Sequence, residues 1–116
     1  MGTLGAATAE PSIRATMPAM VLEIADITVK AETADGFGDA VREGIRFVAD
    51  TPGFRGAQLT RGVESPNRFV LMIEWDSVEA HTVGFRESEN FGRWRGVIGP
   101  FLDGAPHVEH VDEITL

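Results

Sequence analysis

The amino-acid sequence predicts an α+β fold of the ferredoxin-like type, with a four-stranded antiparallel sheet and two helices. Strand and helix patterns alternate in the order β-α-β-β-α-β, which is the split βαβ arrangement. Five consecutive apolar residues at positions 69–73 are typical of a strand buried on both faces. Breaks rich in proline, glycine or asparagine, at residues 51–53 and 65–67, separate neighbouring elements.

Composition and charge restrict the class of protein. The chain has 116 residues, enough for one domain with a modest core. Its formal net charge of -8 argues against nucleic acid and against a membrane as partners, because both attract cationic surfaces. The absence of cysteine excludes disulfides, thiolate metal sites and a cysteine nucleophile. We expect a cytoplasmic location.

Residues 1–20 differ in composition from the rest of the chain. They are rich in Ala, Gly, Thr and Pro and have neither a basic start nor a continuous apolar run. We therefore expect neither a signal peptide nor a membrane span there. A flexible N-terminal leader is the expected interpretation, and an arm that folds onto a partner subunit is the alternative. Residues 21–116 then form the folded domain.

The first half of this domain predicts a strand and a helix. Residues 21–30 are rich in β-branched residues and partly alternate, as strands do. Apolar residues at helical spacing follow, and Thr33 or Asp35 is predicted to cap the helix that they form. Three glycines in or beside this helix weaken it by up to about 1 kcal/mol each, so it depends on packing. Its apolar positions are Phe37, Ala40, Val41, Gly44, Phe47 and Val48.

Two strands joined by a short turn come next. Residues 54–64 predict a strand with Ala57, Leu59 and Val63 on one face. The strand that contains the apolar run follows, at residues 68–76.

The remaining sequence predicts two helical segments and a last strand. Ser77 is a candidate N-cap for the first segment, and Ser88 begins the second. A Gly-Pro pair at residues 99–100 ends the second segment. Residues 107–114 predict the last strand. Its residues on one side are Val108, His110 and Ile114.

Two helices can cover only one face of a four-stranded sheet. The strand at residues 68–76 is nevertheless apolar on both faces, so its second face needs another cover. We expect that cover to be the sheet of a second copy of the chain, which predicts a homodimer.

Four stretches of the sequence resemble the antibiotic biosynthesis monooxygenase family. They are PGFRGAQL at residues 52–59, PNRFVLMIEWDSVEAH at 66–81, FRESENFGRW at 85–94 and PHVEHVDEI at 106–114. The resemblance implies a dimeric α+β barrel, in which two ferredoxin-like sheets pack face to face. It also implies a pocket between the sheet and the helices of each subunit. Family members include cofactor-independent oxygenases of aromatic polyketides and quinols, and haem-degrading enzymes.

The candidate catalytic residues are His81 and Arg86. His81 is predicted to share a helix face with Val78 and Phe85, directed at the sheet. A histidine there can act as a base toward a phenol, because its ordinary pKa lies near neutrality. The alternative is a histidine bonded to a backbone carbonyl. Arg86 or Arg95 can stabilise developing oxyanion charge, and a surface ion pair is the alternative for both.

Aromatic side chains supply the candidate substrate-binding residues. A flat polycyclic ligand needs wide apolar contact and few polar anchors. Packing in the core is the alternative for each of these aromatic residues. His110 joins the set because its strand face can meet either the same pocket or the dimer interface. The predicted substrate-binding residues are Trp75, Phe85, Phe91, Trp94 and His110.

For the remaining polar residues, the sequence leaves open which face of the sheet they occupy or argues against a metal or haem site. Glu23 and Asp26 interrupt the first strand, but a register change of one residue would reverse the face of each. His107 and His110 lie on opposite faces of a strand, which disfavours a shared metal ion, and we expect no metal site. Haem-degrading relatives carry a histidine shortly after the residues that match 88–91. This chain has GRWRG there, so we expect no haem and no other cofactor.

We therefore expect a cofactor-independent monooxygenase. Its partners would be a second copy of the chain, dioxygen and a small electron-rich aromatic, such as a quinol or a polyketide phenol. Two alternatives on the same fold stay open. One is a non-oxidative polyketide cyclase or isomerase, which would need the same pocket and the same acid–base groups. The other is a dimer that binds a small molecule without catalysis.

Overall fold

The computed structural model describes residues 20–116, and the predicted leader lies outside them except for Met20. The elements are β1 (Val21–Thr28), a 3-10 helix (Ala31–Gly36), α1 (Phe37–Ala49), β2 (Phe54–Arg61), β3 (Arg68–Trp75), a π-helical segment (Ala80–Phe85), α2 (Glu89–Ile98), a 3-10 turn (Gly99–Phe101) and β4 (His107–Val111). The strands lie in the order β2-β3-β1-β4, and all pairs are antiparallel. The ferredoxin-like prediction is confirmed. No helix among residues 20–116 is long and apolar enough to cross a membrane.

The core lies between one face of the sheet and the helices. Successive residues of a strand point to opposite faces, so alternate side chains of β1 and β3 enter this layer. Burial of one large apolar side chain stabilises the fold by about 1.5–3 kcal/mol. The largest fully buried side chains are Trp75, Phe37, Ile27, Val29 and Val48.

Only one face of β3 is buried within the single chain. Phe69, Leu71 and Ile73 face the helices and are at most 3% exposed. Val70 and Met72, on the opposite face, are only half-buried. The second face of β3 is therefore open in the single chain, because the described helices all lie on one side of the sheet. A cover for the second face stays a prediction.

Helix α1 begins differently from the prediction. Neither Thr33 nor Asp35 caps it, because the chain enters through the 3-10 helix. The N–H of Phe37 donates to the carbonyl of Ala34, so the tighter turn satisfies a group that a side-chain cap would otherwise bind. Asp35 instead forms an ion pair with Arg61 at 3.0 Å.

Gly44 explains why α1 tolerates glycine in its interior. A Cβ atom at this position would lie 3.0 Å from Cε3 of Trp94 and 3.3 Å from Cβ of Val97. Glycine weakens α1 but lets α2 approach it closely. The predicted dependence of α1 on packing thus has a specific contact behind it.

The helical segment after β3 is fixed by a cap and by a wide turn. The Oγ of Ser77 accepts a backbone N–H in the first turn at 3.1 Å, as predicted. The N–H of Arg86 donates to the carbonyl of His81, five residues earlier, which is the π-helical spacing. The wide turn buries His81 and Phe85 against the sheet. Val78, predicted to share their face, is exposed because the segment is not a regular α-helix.

Two strands end earlier than predicted. β2 ends at Arg61, and Val63, predicted to share a strand face with Ala57 and Leu59, is 90% exposed in the following turn. The hairpin closes before Val63, where the N–H of Gly62 donates to the carbonyl of Arg68. β4 ends before Ile114, which is exposed because no neighbouring strand pairs with it.

Replacing Gly53 by alanine should destabilise the fold more than replacing Gly104. Both glycines have positive φ, 96° and 91°, which costs an L-residue about 1–2 kcal/mol. At Gly53 the new Cβ would also lie 2.7 Å from Cβ of Ala80, whereas at Gly104 it meets nothing within 4 Å. We expect urea unfolding to show losses of about 3 kcal/mol for Gly53→Ala and about 1 kcal/mol for Gly104→Ala. Equal losses would contradict the close contact at Gly53.

Candidate functional site

A cavity of about 410 Å³ lies between the sheet and the helical segments. Its walls come from β1, β3 and β4 on one side and from α1, the π-helical segment and α2 on the other. Most of the lining side chains are apolar, and four of them are polar or charged. The apolar ones are Ala25, Ile27, Val48, Leu71, Ile73, Phe85, Phe91, Trp94, Ile98, Ala105, Pro106 and Val108. The polar or charged ones are Glu23, His81, Arg86 and Arg95.

Strand β1 places the carboxyl group of Glu23 in this cavity. The residue is 6% exposed. Its Oε1 accepts a hydrogen bond from Nε1 of Trp75 at 2.9 Å and lies 3.4 Å from Nε2 of His81. Its Oε2 makes no hydrogen bond within residues 20–116. A buried carboxylate is costly without partners, and β3 and the π-helical segment supply them.

The imidazole of His81 is held on three sides. Its ring stacks on Trp75, with 5.4 Å between ring centroids and 16° between the planes. Its Nδ1 lies 2.9 Å from Nε2 of His110. While Glu23 is ionised, its oxygen can only accept, so Nε2 of His81 carries the hydrogen and Nδ1 accepts from His110. Both ring nitrogens of His81 then have a partner.

Burial moves the pKa values of the two central groups in opposite directions. Desolvation raises the pKa of Glu23 above 4.5, although the Trp75 hydrogen bond and the Arg86 guanidinium oppose the shift. Desolvation, followed by the charge of Arg86 and by His110, lowers the pKa of His81 to about 4. His81 is therefore neutral at pH 7, and Glu23 is a stronger base than an ordinary glutamate.

Two guanidinium groups line the cavity without an ion pair of their own. The side chains of Arg86 and Arg95 form no salt bridge or hydrogen bond within residues 20–116. Glu89, a nearby carboxylate at the start of α2, pairs instead with Arg93 at 3.3 Å. The guanidinium of Arg95 lies 5.8 Å from the ring centroid of Phe91. Apolar walls and unpaired positive charge thus meet in a chain whose formal net charge is -8.

Most of the predicted site residues come together at this cavity. Trp75 is fully enclosed and reaches the cavity through two lining side chains, those of Glu23 and His81. His110 reaches it through His81. The predicted residues that line the cavity directly are His81, Phe85, Arg86, Phe91 and Trp94.

Sequence reasoning left the direction of Glu23 undecided. The register settles it, because Glu23 lies opposite Ile73 of β3 and His110 of β4, on the helix-facing side. Asp26 points to the other side and pairs with Arg68 at 2.8 Å. A glutamate within a largely apolar strand indicates a candidate functional residue, but only the strand pairing determines the face of the sheet to which its side chain points.

The histidines of β4 are separated as predicted. His107 lies opposite Asp26 and His110 opposite Glu23, so the two histidines point to opposite faces. Among residues 20–116 there is no group of three His, Cys, Asp or Glu side chains that could hold a metal ion.

Known proteins resemble this chain in sequence and in fold. The family model for antibiotic biosynthesis monooxygenase matches residues 20–97. The uncharacterized protein YczJ of Bacillus subtilis (strain 168) is 30% identical over 95 residues, which are 82% of this chain and 100% of YczJ. A crystal structure from Bordetella bronchiseptica, assigned to the same monooxygenases, has a TM-score of 0.81 and 31% identity, covering 84% of this chain and 99% of its own. SnoaB, a cofactor-independent oxygenase from Streptomyces nogalater, shares the fold with a TM-score of 0.65 at 18% identity. The match covers 84% of this chain and 94% of SnoaB.

The low pKa of His81 predicts a loss of stability in acid. The folded chain holds His81 neutral down to about pH 4, whereas the unfolded chain protonates it below the ordinary value of 6.5. The unfolded state therefore binds more protons between these values. The free energy of unfolding thus falls as the pH falls from 6.5 to 4. The His81 contribution to this loss is on the order of 3 kcal/mol. The raised pKa of Glu23 acts in the opposite sense, because its contribution is lost as the pH rises through that pKa.

Urea unfolding of wild type and His81→Asn at several pH values would measure this contribution. The His81→Asn protein should lose less stability than wild type between pH 6.5 and pH 4. Val83→Asn, at an exposed position of the same segment, is the control and should keep the wild-type pH dependence. Parallel curves for wild type and His81→Asn would contradict a neutral, buried His81.

Proposed function

Because the chain belongs to the antibiotic biosynthesis monooxygenase family, we propose that it is a cofactor-independent monooxygenase of an electron-rich aromatic. The observation that carries this proposal is the apolar cavity in which His81, Glu23 and Arg86 converge. The substrate would be a quinol or a polyketide phenol. Such a molecule can supply the electrons for dioxygen itself once it has lost a proton.

The overall reaction balances without another reductant. When a ring methylene becomes a carbonyl, the substrate gives up four electrons and two hydrogen atoms. Dioxygen accepts the four electrons, and one of its oxygen atoms forms the carbonyl while the other leaves as water. The protein then has to bind the aromatic, remove a proton and stabilise the resulting anion.

The cavity is suited to a flat apolar ligand. Its volume of about 410 Å³ lies within the usual range for small-molecule sites, about 300–1,000 Å³. Phe85, Phe91 and Trp94 offer aromatic faces, and the enclosed surroundings limit the access of water to a reactive anion. Arg86 and Arg95 supply the positive charge, and Arg86 is the stronger candidate because it lies close enough to shift the pKa values of Glu23 and His81.

The proposed enzyme is a homodimer through the open face of the sheet. Leu22, Ile24, Val70 and Met72 are half-buried on this face and lie together on the two central strands. No helix of the described chain covers them, and a second copy of the same sheet would bury them symmetrically. The helix-facing cavity would then remain separate in each subunit.

Oxygen consumption by the purified, metal-free protein tests the reaction. With anthrone-like phenols and quinols under air, we expect wild type to consume oxygen and to form the oxidised product. His81→Ala should lower the rate about a hundredfold, because the buried carboxyl group of Glu23 loses a neighbour that holds it in position. Arg86→Gln should lower it by about a hundredfold, because the anion loses its counter-charge. Val83→Ala, exposed on the same segment, is the matched control and should keep the wild-type rate.

Two outcomes would contradict this proposal. A wild-type rate that does not exceed that of His81→Ala on any compound would remove His81 from the reaction. Product formation at the same rate without oxygen would favour a cyclase or isomerase instead.

Sedimentation equilibrium tests the dimer. We expect wild type to have twice the chain mass of 12.5 kDa. Met72→Lys would bury an unpaired charge in the interface and should weaken association by about a hundredfold or more. Val83→Lys, exposed on the other side of the subunit, should leave association unchanged. A dimeric Met72→Lys protein with wild-type affinity would place the interface elsewhere.

A further inference from the structure

We propose that Glu23 is the residue that takes the proton from the substrate, with His81 and Trp75 holding its carboxyl group in position. The inference rests on the proposed function for the class of substrate, an aromatic with an acidic C–H or O–H bond. It concerns the step before dioxygen reacts, so it can be tested without oxygen.

The first support is the free oxygen of Glu23. Among residues 20–116, no fully enclosed side-chain nitrogen or oxygen lacks a hydrogen-bond partner. Oε1 of Glu23 has two close neighbours, Trp75 and His81, whereas Oε2 has no hydrogen-bond partner. Oε2 is therefore the open end of a side chain that is only 8% exposed, and the space that this side chain lines is the cavity.

The second support is that His81 has no free lone pair. Its Nδ1 accepts from His110 while its Nε2–H faces Glu23, so a substrate proton finds no acceptor on the neutral ring. Burial and positive charge also make His81 a weak base at neutral pH, with its pKa lowered to about 4. Burial raises the pKa of Glu23 and so brings this carboxylate closer in basicity to the anion of a weakly acidic substrate.

The third support is the balance of charge in the cavity. In the proposed step the C–H bond of the substrate breaks and its electron pair forms a C=C bond in the ring system. The π electrons of the ring carbonyl move onto the carbonyl oxygen, which becomes a phenolate. A bond forms between the proton and Oε2 of Glu23. The negative charge thus passes from the carboxylate to the substrate, and the cavity gains no net charge. Arg86 already acts on this carboxylate and can stabilise the anion in its new position.

Deuterium exchange under anaerobic conditions tests this step. Anthrone has an acidic methylene group, and its exchange with deuterated buffer can be followed by mass spectrometry. Wild type at saturating anthrone should accelerate exchange over buffer. Glu23→Gln keeps the acceptor for Trp75 but cannot take a proton, so it should slow enzyme-catalysed exchange by about a hundredfold or more. Glu43→Gln, on the exposed side of α1, is the matched control and should exchange at the wild-type rate.

Further variants separate proton transfer from folding and positioning. Circular dichroism and tryptophan fluorescence titration with anthrone would show that Glu23→Gln is folded and still binds. Glu23→Asp keeps a carboxylate at a shorter reach and should give an intermediate exchange rate. His81→Gln retains a donor toward Glu23 and should exchange faster than His81→Ala if His81 positions the carboxylate.

Exchange in Glu23→Gln at the wild-type rate would overturn the inference, and so would a wild type that binds anthrone without exchange. If exchange depends on Glu23 but no compound leads to oxygen consumption, the inference stands and the oxygenase function fails.

Discussion

A carboxyl group buried under the centre of an apolar sheet is the constraint on which the site depends. Removing a charge from water costs several kcal/mol, so Glu23 can keep its charge only with partners in place. Trp75 on β3 and His81 on the π-helical segment supply them, and Arg86 adds positive charge nearby. The pairing of β1 with β3 and the wide turn before Arg86 must therefore both be correct before the carboxyl group is satisfied.

The apolar and the polar side chains that line the cavity have different roles. Aromatic and aliphatic side chains provide contact area without selecting an orientation, as on α2. Three polar groups of the wall, those of Glu23, His81 and Arg86, lie close together, so they offer one region that an acidic substituent of a ligand can face. Arg86 links the two central titratable groups, since its charge lowers the pKa of both Glu23 and His81. In the proposed reaction, the same few side chains would govern both the acidity and the orientation of the substrate.

Much of the fold followed from local patterns, whereas the chemistry of the site depended on register. Helical spacing located α1, the apolar run located β3, and Ser77 correctly marked the next helical turn. The face of Glu23 could not follow from β1 alone, because a shift of one residue would have reversed it. The exposed state of Val78 had a different cause. A π-helical turn has no distinct residue pattern, and α-helical spacing therefore gave the wrong partner for His81.

The position of His110 on β4 ties the acid–base network to the sheet edge. β4 has five residues, and within the described chain it pairs only with β1. Edge strands open locally more easily than central ones, and their amide hydrogens exchange with solvent sooner. Each local opening of β4 would withdraw Nε2 of His110 from His81 and leave the imidazole free to change its tautomer. Fraying of this short strand would thus limit how long the proton arrangement around Glu23 persists, and Val108 on the cavity wall would move with it.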